Sequence, residues 1–390
     1  MAGPIFILAG EPSGDRLGAS LMQAISTAFG NRRWIGVGGP LMQAQGLAAN
    51  FPMEELTVFG FGAAVKAYPR LSRRIDALVD LIVAEQPAAV LTVDAKGFAL
   101  RLAERLRRRM AGAGTVPPII HIVAPTVWAW GGWRAPRFAR AFDGLLCLFP
   151  FEPAYFSPLG LEARFISHPE AFNSVYDEVG RAATMPDATG PRQLTLLPGS
   201  RRSEISHLLV PMLSATTMLR RDMPDLQVLL PTLPHLNMMI RDAVHAAGLD
   251  DHIQVMTQED GLFTALKRSH GVMAASGTVT LQTALFGVPG VTCYKASRLS
   301  AFIGRRLVRM DKVILPNALC EKDVYPFLFQ EQVQAGSLYD AIRPVLMNDR
   351  TGQAIRQTAL ANAAALRQML RGQAESFEAN VAAALAEWID

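Results

Sequence analysis

Three side chains able to hold or give up a proton, Glu11, Ser13 and Asp15, fall within GEPSGD at 10–15, one residue after the apolar run PIFIL. Gly10 lets the chain turn sharply off a strand. Ser13 or Asp15 suits the start of the helix that follows, where a carboxylate meets the positive end of the dipole. Glu11 stands at the carboxyl tip of the strand, where ligands bind in open α/β sheets. A second acid, Asp94, follows AVLTV in the same way, with Lys96 two residues on. A carboxylate there either caps the next helix or takes a proton from a hydroxyl.

Other stretches point to sugars and phosphates. APTVWAWGGWRAPRF carries Trp128, Trp130 and Trp133 beside two glycines, which fits a lined pocket for a sugar or acyl chain as well as ordinary loop packing. In LLPGSRRSEI an apolar strand runs through Gly199, Ser200 and Arg201 into a helix. Free backbone N–H groups at the helix start, with one guanidinium, would make an anion cradle apt for a diphosphate. Ser276, Gly277 and Thr278 repeat the logic at a second strand end. Two basic stretches with aromatic neighbours, around Phe59, Phe61, Lys66, Arg70, Arg73 and Arg74 and from Arg298 to Arg309, suit an anionic membrane surface or a solvated helix face.

The elements that must position these residues are legible as alternation. PIFILAG, RWIGVGG, AAVLTVDAKGF, PPIIHIVAP and GLLCLFP read as strands with helical stretches between them. Leu102, Leu106 and Met110 fall four apart on one face of an arginine-rich helix. After a weak polar stretch the alternation restarts with LTLLPGS, LQVLLPT, IQVMT, GVMAAS and GVTCYK, and the chain ends in an alanine-rich helical region broken near Gly372. The pattern predicts an α/β protein of two facing Rossmann-like domains. The first covers 1–172 and 173–193 is a linker; the second covers 194–354, and the C-terminal helices at 355–390 are placed to pack back on the first domain.

Composition excludes several classes. At 390 residues, half of them apolar and 18% charged, the chain is long enough for two cores and is not disordered. Cys147, Cys293 and Cys320 are far apart with no CxxC, so a zinc site or disulfide framework is not expected. The N-terminus lacks the pattern of a secretory signal, and Met110–Trp133, though uncharged, holds three prolines and four glycines, so a membrane span is not expected. Residues 1–170 hold 17 Lys and Arg against 13 Asp and Glu, and the rest holds 21 of each, so an anionic partner would meet the first half. No basic groove with interleaved aromatics points to nucleic acid. No G-x-G-x-x-G opens either half, which argues against a dinucleotide oxidoreductase.

In this order, GEPSGD, GVGGPLMQAQG, MEELTVFG, VDAKGF, APTVWAW, LFPFEPAYF, LLPGSRRSEI, ASGTVTLQ and LPN resemble the lipid-A-disaccharide synthase family through nearly the whole chain. The resemblance implies a GT-B glycosyltransferase, inverting and metal-independent. It would join UDP-2,3-diacylglucosamine to 2,3-diacylglucosamine 1-phosphate and release UDP, the UDP-sugar being a substrate and no cofactor being needed. It further implies a peripheral protein at the cytoplasmic face of the anionic inner membrane, usually a homodimer. Asp94 matches the family's catalytic aspartate, with Glu11 beside it. Ser13, Asp15, Trp128, Trp130, His168 and Asn317 fall on the acceptor side or in pocket motifs. Gly199, Ser200, Arg201, Ser276, Gly277, Thr278 and Gln282 fall on the nucleotide side. The chain departs from the family pattern at Lys96 (usually Pro), Ala99 (usually Asn), Ser167 (usually Gly), Gln282 (usually Glu), the run Cys320-Glu321-Lys322 after LPN and Phe327. Those departures support a competing reading, a divergent member with lost or altered catalysis that binds a nucleotide sugar or lipid. A UDP-sugar epimerase of the same fold is a third.

Overall fold

The computed structural model describes every residue except 1–2, 57–60, 113, 180–189, 259, 297–312 and 390; of 61–67 it describes the backbone alone. Phe59 and the basic stretch at 298–309 thus lie outside the described residues, as do the side chains of Phe61 and Lys66. The chain divides into two compact units, one of Met1–Phe172 with Leu370–Asp390 and the other of Asn173–Met369.

In the first unit β1 (Ile5–Ala9), β2 (Trp34–Val37), β3 (Leu47–Ala49), β4 (Ala89–Val93), β5 (Ile119–Ile122), β6 (Gly144–Cys147) and β7 (Glu162–Phe165) form one sheet ordered β3-β2-β1-β4-β5-β6-β7. Every pairing is parallel. The crossovers carry α1 (Pro12–Phe29), α2 (Pro40–Ala44), α3 (Phe61–Glu85), α4 (Lys96–Met110) and α5 (Ala135–Ala141). Strands β1 and β4 are buried at every position, which is why they read as unbroken apolar runs rather than alternating ones. Helix α4 buries Leu102, Leu106 and Met110 and so turns Arg101, Arg105 and Arg108 away from the core.

The second unit repeats the plan. Strands β8 (Gln193–Leu197), β9 (Gln227–Pro231), β10 (Ile253–Met256), β11 (Gly271–Ala275), β12 (Gly290–Tyr294) and β13 (Phe327–Phe329) are ordered β10-β9-β8-β11-β12-β13. All pairings are again parallel. Helices α6 (Arg202–Asp222), α7 (Asn237–Ala246), α8 (Gly261–Arg268) and α9 (Val279–Leu285) lie in the crossovers. Each sheet reverses the direction of its strand order once, between β1 and β4 and between β8 and β11. Those are the crevices where open α/β sheets take ligands.

The stretch read from sequence as a linker and the C-terminal helices have definite partners. Within 173–193, the described Tyr176 is buried against Phe263 and Phe286, so this part belongs with the second unit. The helix Arg350–Arg371 belongs with the second unit as far as Met369, ends at Gly372 in the left-handed region (φ 62), and gives way to the C-terminal helix Phe377–Ile389, which packs on α1 of the first unit.

Candidate active site

The tips of β1 and β4 touch. Ala9 pairs with Val93 in the last register position of the two strands. A Cβ on Gly10 would sit 3.0 Å from the Cβ of Ala95, so glycine is what permits this approach. Glu11 and Asp94 follow directly and line one groove of about 510 Å³ with Leu56, Tyr68, Ile75, Lys96 and Arg101. Asp94 and Ala95 both have positive φ, 51° and 46°. Two successive left-handed residues that are not glycine hold strain of about 1–3 kcal/mol each, a cost that clusters at functional sites. The Lys96 ammonium lies 3.3 Å from Asp94 Oδ1. An exposed carboxylate and an ion-paired one thus share the first unit's crevice, in a groove with an apolar side.

The other residues expected on the acceptor side or in pocket motifs do not line this groove. Asp15 is 3% exposed and does not line the groove. Its carboxylate accepts the N–H groups of Gly39, Leu41 and Met42, fastening the start of α2 rather than that of its own helix. Ser13 is exposed on the first turn of α1 and makes no cap. Trp128 is buried and donates its indole N–H to Glu152 at 3.3 Å. Trp130 is 43% exposed beneath the Arg134 guanidinium, 3.8 Å from its ring centroid. His168 stacks on Phe149, accepts the Glu170 N–H, and is pushed down to about 4 by burial, so it is neutral. Asn317 is buried and clamps Tyr325, donating to its carbonyl and accepting its N–H. Ala99, where the family usually carries asparagine, is fully buried.

In the second unit the turns at 199–201 and 276–278 stand at the tips of β8 and β11, which are neighbours in the sheet. The first turn differs from expectation. Its N–H groups are not free: those of Ser200 and Arg201 donate to Glu204 Oε2 at 3.0 and 3.3 Å, and the Arg201 guanidinium donates to Oε1 at 2.9 Å. Glu204 is the third residue of α6 and reaches back over Gly199, whose φ is 118° and whose Cβ would lie 2.5 Å from Glu204 Oε2. The spacing Arg-x-x-Glu carries half of a capping box and is readable in the sequence. The cradle accommodates an anion, and the chain's own carboxylate occupies it. At the second turn Gly277 and Thr278 are exposed, and Thr280 rather than Thr278 bonds the turn, donating to Gly277 O at 2.7 Å. Gln282 is half-buried one turn further on.

Glu152 is a residue that motif reading passed over. It is 2% exposed, after β6, and accepts the N–H groups of Phe149 and Trp128. Burial raises it to about 7, against the opposing pull of those donors and of Lys96. A raised acid makes the folded chain bind the extra proton, so its contribution to stability falls as pH rises from the unfolded value of 4.5 to about 7. Glu152→Gln keeps an oxygen for Trp128 and removes that titration. Relative to this variant, the wild type is expected to lose on the order of 2–4 kcal/mol between about pH 4 and pH 8. Denaturant melts at the two pH values measure it, and an unchanged difference would mean that Glu152 titrates normally.

Two parallel doubly wound units, each with a crevice at its switch point and an anion-apt turn in the second, define a protein of the two-domain GT-B fold class. A solved structure of Acinetobacter baumannii MurG shares this fold with a TM-score of 0.57 at 14% identity, covering 99% of this chain and all of that one. So does a putative UDP-N-acetylglucosamine 2-epimerase from Listeria monocytogenes, with a TM-score of 0.58 at 13% identity over 92% of this chain and 91% of its own. These likenesses are of fold alone. The chain belongs to the lipid-A-disaccharide synthase family: the family model for lipid-A-disaccharide synthetase matches residues 5–382. A lipid-A-disaccharide synthase of Nitrobacter winogradskyi is 39% identical over 351 residues, 88% of this chain and 85% of that protein.

Proposed function

We propose that the protein joins UDP-2,3-diacylglucosamine to 2,3-diacylglucosamine 1-phosphate with inversion at the anomeric carbon, giving the lipid A disaccharide 1-phosphate and UDP. The observation that carries this reading is Asp94, held in a strained backbone at the β4 tip beside Glu11 in a groove with an apolar side. In the proposed step Asp94 takes the proton of the acceptor hydroxyl as its oxygen attacks the donor's anomeric carbon, and the electron pair of the breaking bond leaves with UDP. Lys96 must yield, since its ammonium competes for the oxygen that accepts the proton. UDP would be held at the β8 and β11 tips, its diphosphate displacing the Glu204 carboxylate from the cradle. The reading needs no metal and no cofactor. It places the protein at the cytoplasmic face of the inner membrane as a homodimer. Support for a lipid surface comes from Trp133 and Trp130, 77% and 43% exposed beside Arg134. In the basic stretch expected to dock, Arg70 and Arg74 are already engaged with Glu55. Among the described residues no helix is long and apolar enough to cross a membrane.

Formation of disaccharide from the two monosaccharide lipids is the deciding assay. UDP at 100 times its Kd should add about 2.7 kcal/mol to the second unit, a melting shift of about 5–10 °C. The competing reading, a binding protein without turnover, is favoured by the Lys96–Asp94 ion pair. It would be upheld by a full UDP shift with no product; without the shift the transferase reading fails and only lipid binding is left of the competing one.

A further inference from the structure

The groove around Glu11 and Asp94 has an unbalanced charge. Five cations line it, Lys96, Arg101, Arg105, Arg108 and Arg137, against Glu11, Asp94 and Glu104. Three of the five are committed: Lys96 to Asp94, Arg105 to Asp76, and Arg137 to Glu104 at 2.6 Å. Arg101 and Arg108 have no carboxylate within salt-bridge distance among the described residues. Arg101 lies over the Tyr68 ring, 5.4 Å from its centroid, and Arg108 donates to the backbone oxygen of Glu104. Spacings of four and three place Arg101, Arg105 and Arg108 on one face of α4, the face away from the buried Leu102 and Leu106. Arg101 is five residues beyond Lys96, roughly 7.5 Å along the axis, and a long helical side chain leans back toward the N-terminus. Its side chain and Asp94 line the same groove. The Tyr68 ring takes up one face of the guanidinium by a cation–π contact and none of its N–H donors, which suit a group with paired oxygens.

We propose that Arg101, with Arg108 behind it, recognises a phosphate monoester on the acceptor and so sets which hydroxyl is presented to Asp94. This rests on the reading of the groove as the acceptor site of a glycosyl transfer. Leu56, Leu71, Ile75 and Phe98 line the same groove and suit an acyl chain of the same molecule.

The test compares the full-length wild type, Arg101→Gln and, as a control for diffuse charge, Arg109→Gln, which lies outside the groove and forms only a surface pair with Asp80. Each is assayed with saturating UDP-sugar and two acceptors, the diacylglucosamine bearing a 1-phosphate and the same lipid with a free 1-hydroxyl. Arg101→Gln should raise KM for the phosphorylated acceptor about 10- to 100-fold, as for loss of one charge-assisted paired contact. It should leave the hydroxyl acceptor and the UDP melting shift unchanged, and Arg101→Lys should recover part of the loss. Equal losses on both acceptors, or a wild type that does not distinguish them, overturn the proposal. Direct titration of each acceptor without donor decides the matter even if no product forms. Phosphate-dependent binding lost in Arg101→Gln upholds the subsite while the transfer reading fails, and its absence in the wild type refutes the subsite. Flotation with phosphatidylglycerol vesicles separates bilayer phosphates from the acceptor's. If Arg101→Gln abolishes flotation but not acceptor discrimination, the arginine serves the bilayer and the proposal is wrong.

Discussion

Asp94→Asn is expected to slow disaccharide formation by about 10²–10⁴-fold, the usual cost of removing a positioned base. The substitution is conservative in the respects that matter for folding. Asparagine tolerates the left-handed region as aspartate does, so the strained tip at Asp94 and Ala95 survives. The amide keeps the shape but offers no lone pair basic enough to take a hydroxyl proton, and it gives up the ion pair with Lys96. UDP binding should be untouched, because the turns at 199–201 and 276–278 belong to the other sheet. A variant as fast as the wild type would show that another group, such as Glu11 in the same groove, takes the proton. A variant that also loses the UDP shift would point to a folding defect instead.

Ending the chain after Arg371 is expected to unfold the first unit and spare the second. The lost helix Phe377–Ile389 buries Phe377, Val381, Leu385 and Ile389 in the same core as Leu21 and Ile25 of α1. At about 1.5–3 kcal/mol for each large apolar side chain, the loss is about 6–12 kcal/mol as an upper figure. That is comparable to the whole stability of a domain. Polar ties go with it: Arg164 donates to the Ala384 carbonyl at 3.0 Å, and Asn380 to the Ser167 hydroxyl at 2.9 Å. The Trp388 ring fills the space above Gly144, the first residue of β6, where a Cβ would meet it at 2.6 Å. Calorimetry should show one transition lost and the other, still raised by UDP, retained. Leu385→Ala, costing about 2–5 kcal/mol, should lower the first transition without abolishing it. Two unchanged transitions in the truncated chain would contradict this assignment of the helix.

The central strands were legible because they are buried on both faces, so β1, β4, β8 and β11 announce themselves as apolar runs. Of the edge strands only β10, sequence IQVM, was legible; β3, β7 and β13 were not. β3 and β13 have three residues each, and β7, sequence EARF, carries charge on the sheet's edge. Such segments owe their extension to a neighbour, which no local pattern reports. The same divide runs through the site. Glu11 and Asp94 could be found because the end of a parallel strand is itself a location. Asp15, Trp128 and Asn317 could not be placed, because what occupies them comes from a distance: Gly39 to Met42, Glu152 and Tyr325 respectively. Arg101 was hidden for another reason. Its helix reads as an ordinary amphipathic one, and only the pairing of its neighbours with Asp76 and Glu104 shows which guanidiniums are left over.

Both ends of the chain belong to the first unit, and the second is an insertion between Phe172 and Leu370. The two crossings lie side by side, with the His168 N–H donating to the Leu370 carbonyl at 2.9 Å and the Arg371 guanidinium over the Phe172 ring. On the ribosome this imposes an order of events. The insertion, Asn173–Met369, is complete before the last helix has been made, so it can close first. The first 172 residues, although synthesised earlier, must wait for that helix, through roughly 10–40 s of translation at 5–20 residues per second. During that interval the α1 face that will receive Val381 and Leu385 is uncovered, so the apolar surface left exposed on the nascent chain lies in its N-terminal half.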